Sequence, residues 1–116
     1  MSIEFKNEND RQFFNQIHPK LKERLEFMSW YYEKKFGKDF VITRIYENDG
    51  STHASPPPYR FADARCLDIE AKEAEFLRVL VNKIFPYGLN SKGKPADTIV
   101  ELNHGNAPHF HIQVKA

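Results

Sequence analysis

The chain predicts an α+β domain, a small antiparallel sheet with N-terminal and central helices packed on one side. Three observations carry this. Residues 10–36 and 70–85 repeat apolar residues at helical spacing, whereas 40–46, 65–69, 98–102 and 108–115 are short β-branched, aromatic or alternating runs. Clusters of Gly, Asn, Asp and Pro separate these segments. The last two runs are joined by a turn at His104-Gly105-Asn106, which sets them antiparallel.

Taken in order, residues 1–9 are polar and expected to be loose. The first helical region runs from Asp10 to about Phe36 and breaks at His18-Pro19, because proline suits a first helical turn where its missing N–H is not needed. His18 is therefore assigned to the helix start. Leu21, Leu25, Met28, Trp30, Tyr32 and Phe36 make a broad apolar face, with Trp30-Tyr31-Tyr32 expected to pack into the core, and Gly37 stops the helix. Phe40–Tyr46 reads as a strand. A turn at Glu47-Asn48-Asp49-Gly50 opens a long loop holding Pro56-Pro57-Pro58, and long loops of this kind are often functional. Arg65-Cys66-Leu67-Asp68-Ile69 reads as a short strand. Glu70–Phe85 is an amphipathic helix facing inward with Phe76, Leu77, Leu80, Val81 and Ile84, ended by Pro86 and Gly88.

Length and composition bound the rest. With 116 residues, 41% of them hydrophobic and ten phenylalanines, the chain supports one domain over 1–116 with a real core. Its net charge is +1, and its basic residues alternate with acids, as in Lys20-Leu21-Lys22-Glu23-Arg24. That pattern excludes the clustered cationic face that nucleic acid requires. No apolar run approaches the ~20 residues of a membrane span, and the opening Met1-Ser2-Ile3-Glu4-Phe5-Lys6 is not an export signal, so synthesis in the cytoplasm is expected. The lone Cys66 cannot form an internal disulfide and is read as a buried small hydrophobe.

The most informative stretch is the last, Pro108-His109-Phe110-His111-Ile112-Gln113-Val114. In a strand, Phe110, Ile112 and Val114 face one way and His109, His111 and Gln113 the other. Two imidazoles on one polar face can reach a common point, and neutral imidazole is both a general base and the commonest transition-metal ligand. Two segments could complete such a site: Ser51-Thr52-His53, and Asp68 set between Leu67 and Ile69. Two histidines and a carboxylate form a recurrent catalytic zinc set with a fourth position open to water. Glu101 is read as a group able to orient an imidazole, and His104 as a turn residue or an added ligand.

The order Ser51-x-His53, Arg65-x-x-Asp68-Ile69, then His109-x-His111 resembles the zinc D-Ala-D-Ala carboxypeptidase family, including its phage endolysin-like members. The segment His18-Pro19-Lys20-Leu21 with the following helix and strand is similar as well. The resemblance implies a DD-peptidase-like fold that binds Zn2+ through His53, Asp68 and His111, with His109 as the active-site histidine beside the metal. It also implies hydrolysis of D-Ala-type peptide bonds in peptidoglycan stem peptides, with release through phage lysis or in a virion.

The chain departs from that family in three places. His53 and Asp68 stand fifteen residues apart, more than in the family, which leaves Asp63 as a competing ligand. Glu47 follows Tyr46 where the family has a substrate-binding arginine, so Arg65, Arg44 or Arg60 must substitute. Pro108 stands where some members carry a carboxylate base, leaving His109 alone in that role. The second reading is a diverged metal-binding module with the same fold but without catalysis, a virion or prophage accessory protein.

Overall fold

A computed structural model describes residues 3–46, 58–90, 92–99, 103–104 and 107–115. Strand β1 (Ile3–Phe5) and helix α1 (Glu8–Phe13) come first. A 3-10 turn (Phe14–Gln16) leads to α2 (Pro19–Tyr31), which passes into a π-helical turn, Tyr32–Phe36. Strands β2 (Phe40–Tyr46) and β3 (Phe61–Arg65) follow, then α3 (Ala71–Ile84). The chain closes through β4 (Gly88–Leu89), β5 (Pro95–Ala96), β6 (Asn103–His104) and β7 (Ala107–Gln113). The main sheet has the order β1-β2-β3-β7-β6, and β4 and β5 form a small separate hairpin. The fold is α+β.

α2 starts where the chain cannot do otherwise. His18 is extended and its side chain accepts a hydrogen bond from the Lys20 amide at 3.0 Å, while Pro19 takes the first helical position. Leu21, Leu25, Met28 and Tyr32 then recur on one face and are fully buried. Gly37, with φ of 64°, ends the π-helical turn in a left-handed conformation that other residues rarely adopt. α3 contributes Ala74, Leu77 and Val81 to the same core. Its Asn82 side chain grips the Ile99 backbone from both sides, donating to the carbonyl at 3.2 Å and accepting from the amide at 2.7 Å. That grip seats residues 98–99 against β7, where Ile99 bridges Ile112.

The sheet meets the helices through Ile42 and Ile45 on β2, Ala62 and Ala64 on β3, and Phe110 and Ile112 on β7. Small alanines on the central strand leave room for the large residues on either side, so these rows interdigitate. β2 carries one extra residue here. Ile42 pairs with Ala64 but Arg44 pairs with Asp63, a register shift that marks a β-bulge at Thr43. Because of it, Ile42 and Ile45 both face the core and Arg44 turns to the opposite face.

Several expectations are corrected. Residues 3–5 are not loose: they form an edge strand that runs parallel to β2, so the sheet is mixed and not wholly antiparallel. The strand expected at 65–69 lies instead at 61–65, and Leu67–Ile69 form a turn with Leu67 68% exposed. Trp30 is 46% exposed, and only Tyr32 of its aromatic cluster is fully buried. Phe76 and Ile84 of α3 also lie on the surface. The turn at 47–50, the Pro-rich stretch at 51–57 and the strand core at 100–102 fall outside the described residues.

Candidate functional site

On the face of the sheet turned away from the helices, register assembles a polar group. β3 and β7 pair antiparallel, with Asp63 opposite His111 and Arg65 opposite His109. β2 adds Arg44 opposite Asp63, giving a row Arg44–Asp63–His111 across three strands. Cross-strand partners on one face stand near 5 Å apart at Cβ, so their side chains interact directly. The row exists only because of the bulge at Thr43; a regular β2 would point residue 44 into the core.

Asp63 holds both histidines. Its Oδ1 lies 2.8 Å from His111 Nδ1, and its Oδ2 lies 3.6 Å from His109 Nε2. A carboxylate only accepts, so this contact needs Nδ1 to carry a proton. Asp63 is 7% exposed as a residue, so the short contact works in a partly desolvated setting where charge-assisted hydrogen bonds are strong. Phe61, on the same face, places its ring 5.9 Å from the His111 ring, and the Arg60 guanidinium lies 5.6 Å above the Phe61 ring.

The sequence-derived residues therefore sort as follows. His109, His111, Asp63, Arg44 and Arg65 are brought to one face. Arg60 stands at its margin through Phe61. Asp68 is not in the group, which corrects its assignment as the carboxylate ligand. It lies in the turn after β3, where its Oδ1 accepts from the Tyr32 hydroxyl at 3.4 Å and its backbone carbonyl accepts from Lys38 Nζ. There it borders a groove of about 520 Å³ together with Lys35, Phe36 and Glu73. Tyr32 belongs to the core under the helices, and burial pushes its phenol strongly up, with Asp68 adding to the shift.

His53 and Glu101 lie outside the described residues, as does the side chain of His104. Among the described residues no group of three His, Cys, Asp or Glu side chains is arranged to hold a metal ion, and no helix is long and apolar enough to cross a membrane.

Phe61 was not singled out from sequence. Its one signal was an aromatic at the alternate position to Asp63, visible only once the strand is placed at 61–65. Cys66 is buried as expected, and its thiol is pushed up to about 11 by burial and then by the nearby Asp68 carboxylate. No family model, curated protein or solved structure matches this chain.

Proposed function

We propose that the polar face of β3 and β7 is the zinc site of a peptidase acting on short peptides of the D-Ala-terminated, peptidoglycan type, with Asp63 as its carboxylate ligand. The observation that carries this reading is one carboxylate reaching both imidazoles of the His109-x-His111 pair. Neighbouring ligand atoms around tetrahedral zinc stand about 3.4 Å apart. The carboxylate–imidazole separations of 2.8 and 3.6 Å bracket that value, and zinc entering between Asp63 and His111 would replace the Nδ1 proton that the shorter contact now holds.

Asp63 and His111 would hold the metal together with His53. Bound there, zinc would lower the pKa of a coordinated water to about 7 and polarise a peptide carbonyl. His109, two register pairs along on the same face and 3.6 Å from Asp63, would take a proton from the attacking water and pass it to the leaving amine. Arg44, flanking Asp63 on β2, would supply the cationic charge that this chain lacks at Glu47, and Arg65 a second beside His109. A carboxylate-terminated substrate and a developing oxyanion both call for such charge.

Metal content after dialysis tests the reading, measured for the wild-type chain and for Asp63→Ala, His111→Ala and Asp68→Ala. The expected result is about one zinc per chain in wild type and Asp68→Ala and almost none in the other two. Hydrolysis of a D-Ala-D-Ala-terminated peptide by the loaded wild type completes it. Failure to take up zinc overturns the reading, as does zinc that survives Asp63→Ala but not Asp68→Ala. Zinc without hydrolysis would favour the diverged, non-catalytic module.

A further inference from the structure

Phe61 is 8% exposed, yet it takes no part in the contiguous core, which passes through its neighbours Ala62 and Ala64. It stands opposite Gln113, two pairs along from Asp63–His111, so Phe61 and His111 are diagonal neighbours on one face. Their rings lie 5.9 Å apart at a 34° tilt, within the range of favourable ring contacts. The Arg60 guanidinium covers Phe61 at 5.6 Å, a cation–π contact that holds the ring in place.

The second torsion of a histidine has two broad wells, related by turning the ring over. One well points Nδ1 at Asp63, and the other points a carbon there and loses that hydrogen bond. Asp63 alone favours the first well by one hydrogen bond. A flat wall on one side of the ring narrows that choice by limiting how the ring can turn.

We propose that Phe61, backed by Arg60, is a positioning residue that holds the His111 ring with Nδ1 toward Asp63. Its value to catalysis rests on the reading of the site given above; the ring geometry does not. A ligand delivered in one orientation needs no reorganisation when metal or substrate arrives, and residues that orient metal-binding histidines typically matter 10- to 100-fold for affinity.

The test reads the tautomer of His111 by long-range proton–nitrogen NMR on the metal-free, full-length protein. Wild type and Phe61→Tyr, which keeps the ring, are expected to show a single Nδ1–H form. Phe61→Leu and Phe61→Met, which keep apolar bulk but lose the flat wall, are expected to show a mixture with the Nε2–H form. Arg60→Gln shifts the ring the same way by less. Circular dichroism identifies any variant that fails to fold, and two ring-less variants guard against losing one of them. A folded ring-less variant with an undiminished Nδ1–H form overturns the proposal. Because no metal is present, this result is separate from zinc uptake: absence of zinc would sink the peptidase reading and leave the ring result standing.

Discussion

The two faces of strands β3 and β7 are built from alternate residues of the same ten-residue stretch of sheet, and they have opposite characters. Toward the helices stand Ala62, Ala64, Phe110 and Ile112, all with no exposure. Away from them stand Asp63, Arg65, His109 and His111. The first face is apolar and interchangeable in chemistry, and its contribution is area removed from water and close packing. The second holds groups whose contribution depends on which atom meets which. The strand's period of 2 keeps stability and chemistry apart by one residue, so the two can be perturbed separately.

The largest separation is expected between neighbours on β7. Phe110→Ala opens a cavity in the core and should cost about 3–5 kcal/mol in denaturant unfolding. His111→Ala leaves the core untouched and removes the short hydrogen bond on a carboxylate that is largely buried, a cost of about 1–3 kcal/mol. Equal losses for the two would erase the distinction between the faces.

A smaller effect separates them by pH. Cys66, on the helix side just beyond β3, is raised from 9.0 to about 11. Between those values the folded thiol still holds a proton that the unfolded chain has released, so stability falls as pH rises through the window and is flat below it for this group. The Tyr32 phenol, raised from 10.0, adds to the same alkaline loss. Unfolding measured from pH 8 to 11 should therefore slope downward, and Cys66→Ala should flatten part of that slope; an unchanged slope would remove Cys66 from the account.

The smallest effect lies at neither face but at the start of α2. His18 caps the helix by accepting at Nδ1, which requires the neutral ring. Its pKa is held below 6.5 by burial first and then by Lys20, Arg60 and Arg24. As pH falls through 6.5 the unfolded histidine takes up a proton before the folded one, so stability declines on acidification. His18→Ala should cost about 1 kcal/mol near neutrality and lose that acid dependence, whereas His18→Asn should keep the cap without it.

Much of this was legible in the residues and some was not, for physical reasons. The alternation at 109–114 gave the facing of β7 correctly, because a strand buried on one side must alternate. His18-Pro19 and Gly37 marked the bounds of the second helical region, since each has a backbone role few residues can fill. β3 was misplaced by four residues because Phe61-Ala62-Asp63-Ala64-Arg65 has two alanines, poor strand formers, while Leu67-Asp68-Ile69 looks strand-like. Its alanines are there to admit the helices, a tertiary demand invisible in local propensity. Asp68 was chosen over Asp63 for the same reason. The parallel β1 was missed because three residues carry too little pattern to compete with a polar surrounding sequence.

The extra residue in β2 makes the make-up of the outer face a question of parity. Ile42 and Ile45 both look inward although an odd number of steps separates them, and Arg44 reaches Asp63 only through that oddness. Removing Thr43 would leave Ile42, Arg44 and Ile45 in strict alternation, so the bulge would go while Arg44 stayed beside Asp63 and both isoleucines stayed inside. Straightening β2 at its present length would do the opposite, sending Arg44 beneath the helices and turning Ile45 out to the polar face.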